Sequence, residues 1–96
     1  MADLLSDAQI DEALTRLTEW HRDSDAIVRT AELVDFPQAV QVVNVVAERA
    51  ESAQHHPDID IRWRALTFRL STHSAGGLTA KDIELAEQID EAISSV

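Results

Sequence analysis

Apolar residues first recur at helical spacing. Ile10, Ala13, Leu14 and Leu17 share one face, and polar residues fill the gaps between them. Just before them, Ser6-Asp7-Ala8-Gln9 reads as a capping box: the Ser6 hydroxyl accepts from the Gln9 amide, and the Gln9 side chain reaches back. Leu5 and Ile10 flank it as a hydrophobic staple. A first helix is expected from Asp7 to about Thr18. Trp20-His21-Arg22 then reads as a short strand, Asp23-Ser24-Asp25 as a turn, and Ala26–Glu32 as the β-branched return strand.

The segment after Asp35 carries two signals. Val40-Gln41-Val42-Val43-Asn44-Val45-Val46 has strand propensity. Against it, Asp35 can cap a helix, and Pro37 fits a first turn, where its missing donor does no harm. Phe36, Ala39, Val40, Val43, Val46, Ala47 and Ala50 keep helical spacing for four turns. A second helix from Phe36 to about Gln54 is the expectation. Val42 and Val45 fall off its main stripe, so it is apolar on more than one side and offers a face to another subunit.

Pro57 ends that helix and biases His56 toward extended backbone. Ile59, Ile61 and Trp63 alternate with polar residues, and then the phase flips to Leu66, Phe68 and Leu70. One strand would throw the second set onto the wrong face. A tight turn near Arg64-Ala65 makes two strands of the run; a bulge there is the competing reading. Trp63 is expected in the core. Ser74-Ala75-Gly76-Gly77 reads as a loop. Thr79-Ala80-Lys81-Asp82 is a second capping box, stapled by Leu78 and Ile83, and Ile83, Ala86, Ile89 and Ile93 define a third helix. The order α-β-β-α-β-β-α predicts an α+β fold. In it a four-stranded antiparallel sheet carries three helices on one face, as two layers and one domain over residues 1–96.

Charge and composition remove several function classes. Eighteen acidic and eight basic residues give a formal charge of -10, which opposes phosphate neutralisation and docking on anionic lipid. No nucleic-acid or membrane partner is therefore expected. Cysteine is absent, which excludes disulfides, thiolate nucleophiles and Cys-based metal sites. The N-terminus lacks the basic and apolar regions of a signal peptide, and no run approaches a membrane span, so a cytoplasmic location is expected. With two Trp, two Phe and no Tyr, the core must come mainly from aliphatic residues, and so thin a core favours a homodimer or homotetramer.

Proton chemistry near neutral pH falls to histidine. His55 and His56 stand where the second helix breaks into a strand, and His73 stands where the last strand breaks into the loop. Hairpin geometry makes the start of one strand neighbour the end of the other, with Asp58 expected beside Ser71. All three imidazoles should then meet at one rim of the sheet. Glu51 lies four residues before His55, a facing position if the helix persists, and Asp82 lies in the first turn of the third helix. Imidazoles beside carboxylates at strand ends suit acid–base work. Three histidines can also hold zinc, but adjacent ones rarely point to a single ion, so no metal is expected.

Glu51-x-x-x-His55-His56-Pro57, then Trp63, His73 and Asp82 at fixed spacing, resembles the signature of the pterin-4a-carbinolamine dehydratases. The neighbouring words Leu70-Ser71-Thr72-His73 and Gly77-Leu78-Thr79 fit as well. The resemblance implies a hydro-lyase that removes water from 4a-hydroxytetrahydropterin to give quinonoid dihydropterin, recycling the tetrahydropterin of aromatic amino acid hydroxylation. It implies neither metal nor cofactor. By the same resemblance His55 and His73 are catalytic, and His56, Pro57, Glu51 and Asp82 serve the pterin substrate, the two carboxylates by orienting histidines. Many members carry an aromatic residue two positions after the proline, where this chain has Ile59. Two alternatives accompany that reading: a non-catalytic dimerisation and transcriptional co-regulator module of the same fold, or a dehydratase-like protein of another pterin or molybdenum-cofactor pathway.

Overall fold

The computed structural model describes residues 3–96. Ser6 caps helix α1 (Asp7–Arg16) through the expected box, its hydroxyl accepting from the Gln9 amide at 3.1 Å while its own N–H donates to Gln9 Oε1 at 2.8 Å. The helix stops at Arg16 rather than Thr18, because Leu17 leaves helical backbone at φ -94°, ψ 68°. Strand β1 (His21–Asp23) starts one residue later than expected, and β2 (Ala26–Glu32) returns beside it. Trp20 stays out of the strand. It is buried, and its indole N–H donates to Asp90 at 2.8 Å.

Helix α2 (Phe36–Ala53) wins over strand propensity. Asp35 accepts the Gln38 amide at 2.9 Å, and a proline occupies the first turn. Its buried stripe is Ala39, Val42, Val46 and Ala50. This is rotated from the expected one: Val42 is fully buried, whereas Phe36 and Ala47 are exposed. A helix apolar on several sides permits more than one phase, and the sheet it packs on decides which is used.

Strands β3 (Asp58–Arg62) and β4 (Ala65–Leu70) form the predicted hairpin. Its turn is Trp63-Arg64, one residue earlier than expected, and Trp63 takes a positive φ of 54°. That position lifts Trp63 off the sheet. It is 72% exposed, not a core residue, and Arg64 lies over its ring at 4.8 Å. The two-residue turn explains the flip in phase, since Ile59 pairs with Phe68 and Ile61 with Leu66, all on one face. Asp58 pairs with Arg69 rather than Ser71.

The sheet order is β1-β2-β4-β3, antiparallel throughout. Ile27, Ala31, Leu66, Phe68 and Leu70 face the helices and are buried with Ile10, Ala13 and Leu17 of the α1 segment and Leu85, Ala86 and Ile89 of helix α3 (Ala80–Ser94). Arg29 crosses from β2 to Asp90 of α3, which ties the two layers together. The fold is the expected α+β arrangement. Among the described residues, no helix is long and apolar enough to cross a membrane.

Candidate active site

Helix α2 ends at Gln54, whose left-handed backbone (φ 51°, ψ 41°) turns the chain sharply before His55. This has two consequences. His55 folds inward and is 9% exposed, and Glu51 no longer faces it. The Glu51 carboxylate instead meets His56 Nε2 at 2.8 Å, with both side chains largely exposed.

The carboxylate partner of His55 comes from α3. Asp82 Oδ1 lies 2.6 Å from His55 Nε2. Its other oxygen accepts the Thr72 hydroxyl at 2.8 Å and the Thr79 backbone N–H at 2.9 Å. Asp82 is therefore the N3 residue of the capping box and the anchor of His55 at once. It is fully buried, together with Thr79, and Thr72 is 3% exposed. The hydroxyl protons can be placed. Thr72 donates to Asp82, so the 2.7 Å Thr72–Thr79 contact has Thr79 as donor, and the Lys81 amide donates to Thr79 Oγ1 at 3.3 Å. A carboxylate receiving two donors on one oxygen acts as acceptor toward His55 on the other. Nε2 of His55 then carries the proton of that hydrogen bond.

His73 follows β4 and opens a one-turn 3₁₀ helix (His73–Ala75). Gly76 closes it at φ 77°, a backbone that favours glycine. An isolated bridge between Thr72 and Gly77 pins the ends of the loop. His55, His56, Pro57 and His73 thereby line one cavity of about 330 Å³, together with Asp58, Ser71 and Lys81. Asp82 stands behind His55 and does not line it, and Glu51 reaches the cavity only through His56. Ile59 packs against the core opposite Phe68 and does not line the cavity.

The loop and hairpin bring together the three histidines that the sequence singles out. Thr72 and Lys81 were not among the expected site residues. Thr72 had a weak signal, a threonine beside His73 and ten residues before a capping carboxylate. Lys81 had a stronger one, being the single lysine of an acidic chain. A larger groove of about 490 Å³ lies between α1 and α3, lined by residues such as Leu5, Ala8, Ala13 and Ile83. It holds no imidazole, whereas the smaller cavity has convergent polar groups.

The profile of the pterin 4 alpha carbinolamine dehydratase family matches residues 3–92. A Nocardia farcinica protein, provisionally named as such a dehydratase, is 62% identical over 89 residues, covering 93% of this chain and 94% of its own. A relative from Roseiflexus castenholzii with the same provisional name is 58% identical over 93 residues, covering 97% of this chain and 100% of its own. Among solved structures, a transcriptional coactivator/pterin dehydratase from Brucella melitensis superposes with a TM-score of 0.92 at 29% identity, over 95% of this chain and 99% of that one. A pterin dehydratase-like protein described as a RuBisCO assembly factor of the alpha-carboxysome shares the fold at a TM-score of 0.65 and 14% identity, over 80% and 89% of the two chains. With its three-histidine cavity, its fold and these relatives, the chain belongs to the pterin-4a-carbinolamine dehydratase family.

Proposed function

We propose that this chain is a hydro-lyase that converts 4a-hydroxytetrahydropterin to quinonoid dihydropterin and water. The observation that carries the reading is the meeting of three imidazoles on one cavity, one of them held by a buried carboxylate. Dehydration needs a proton taken from N5 and a proton given to the 4a-hydroxyl, because hydroxide leaves poorly and water leaves well. His55 acts as the base through Nδ1: Asp82 holds its Nε2–H and stabilises the imidazolium that forms. As the N5 proton departs, its bonding electrons form the N5=C4a double bond. The C4a–O bond breaks, and His73 protonates the leaving oxygen. His56, oriented by Glu51, binds the ring beside Pro57. The reaction returns a pterin that a reductase can restore for aromatic amino acid hydroxylation, and a cytoplasmic setting suits it.

The test is the decay of a freshly generated 4a-hydroxytetrahydropterin in the presence of chelator. The protein should speed it well above the spontaneous rate, and chelation should not matter. Decay at the spontaneous rate would reject the proposal.

A second reading, a non-catalytic interaction module, draws on the exposed apolar side chains Val34, Phe36, Ile61 and Trp63 and on the similarity to the Brucella melitensis coactivator/dehydratase. It leaves the meeting of His55, His56 and His73 on one polar cavity without a role, whereas the hydro-lyase uses it.

A further inference from the structure

The cations of this protein are almost all spoken for. Eight Lys and Arg side chains face eighteen acidic ones. Each of the seven arginines has a carboxylate within 4.0 Å: Arg16, Arg22, Arg29 and Arg49 on the helical side, and Arg62, Arg64 and Arg69 on the hairpin. Among the described residues, Lys81 is the one such cation without a carboxylate in that range. It is also the single lysine, and it lines the histidine cavity. Its backbone is fixed by the same network that holds His55, through the Lys81 N–H to Thr79 Oγ1 and the adjoining Asp82.

Lys81 is exposed, and in an acidic chain that pairs every arginine it places an unpaired cation among the residues lining a polar cavity. The first turn of a helix is also where a cation gains least from the macrodipole, so Lys81 is not placed there for helix stability. Ser71 and Ser74 line the same cavity and add hydroxyl donors. Asp58 lines it too, but lies more than 4.0 Å from the ammonium, so it does not neutralise it.

We infer that Lys81 is a specificity residue that selects pterins carrying an anionic substituent, a phosphate or a carboxylate, over pterins with a neutral side chain. The inference rests on the cavity being the pterin site proposed above. A phosphate and a carboxylate share the chemistry that an ammonium and two hydroxyls recognise, and the experiment separates them.

The experiment is equilibrium binding by pterin fluorescence with three stable probes: 6-hydroxymethylpterin, its phosphate ester and pterin-6-carboxylate. Wild-type protein should bind one or both anionic probes roughly 5–10-fold more tightly than the neutral one, with the advantage shrinking as salt rises. Lys81→Gln should abolish the preference, and Lys81→Arg should retain it. A preference for the phosphate alone makes the site a phosphate site; a preference for both makes it a general anion site. Equal binding of all three probes by wild type, or an undiminished preference in Lys81→Gln, would overturn the inference. Turnover is read separately: wild type that binds anionic pterins selectively yet fails to accelerate dehydration refutes the proposed reaction and leaves the selectivity standing.

Discussion

Asp82 shows how one side chain can serve the fold and the site together. Its Oδ2 caps α3 and takes the Thr72 hydroxyl, and its Oδ1 holds His55. Water has no access to it, so each donor matters more than at the surface. Thr72→Val keeps the shape but removes the hydroxyl that Asp82 accepts and that Thr79 donates to. Leaving those buried groups unpaired should cost about 1–3 kcal/mol, read as a lower urea midpoint at unchanged slope. Thr72→Ser should recover most of it. A valine variant as stable as wild type would show that the network contributes nothing. The Glu51–His56 pair is different in kind, because both groups are solvated and such a pair is worth about 0–1 kcal/mol. In the proposed reaction its part is to aim His56, not to hold the fold.

At the scale of elements, the hairpin of β3 and β4 was legible because a phase flip in an alternating pattern admits few solutions. The turn residue was not. Trp63 looked like core by its spacing, yet it occupies a positive-φ position at the tip, where solvent replaces the helix layer. The same limit explains Glu51. Spacing of four predicts contact with His55 only while the helix continues, and the left-handed Gln54 shifts the partnership to His56. The stripe of α2 was ambiguous for another reason: valines and alanines surround the helix, so periodicity alone does not choose the face that meets the sheet. The convergence of His55, His56 and His73 needed only that adjacent antiparallel strands share an end, and it survived a register two residues away from the expected one. The loop after His73 depends on Gly76 at φ 77°. No atom lies within 4 Å of a Cβ built there, so Gly76→Ala should be penalised by backbone conformation alone, about 1–2 kcal/mol. Thermal unfolding checks this, and an unchanged midpoint would mean that the loop relaxes freely.

For the whole molecule, the two ends of the β3–β4 hairpin differ in character. The cavity lies where β4 ends. At the other end the Leu33 amide donates to Arg64 O at 2.9 Å, and Val34, Phe36, Ile61 and Trp63 are exposed apolar side chains. A chain of 10.6 kDa with so small an aromatic core, an exposed apolar group and β3 as an unpaired sheet edge is expected to self-associate. Sedimentation at micromolar concentration should give at least twice 10.6 kDa, and Ile61→Lys should lower it. A monomer mass for the wild type would refute this.

Proton transfer by His55 and His73 stands or falls with the dehydration rate of His55→Ala/His73→Ala, with circular dichroism confirming that the variant is folded. The catalysed rate should fall by roughly 10²–10⁴-fold, the usual share of general acid–base catalysis. A folded double variant that dehydrates 4a-hydroxytetrahydropterin as fast as wild type would contradict it.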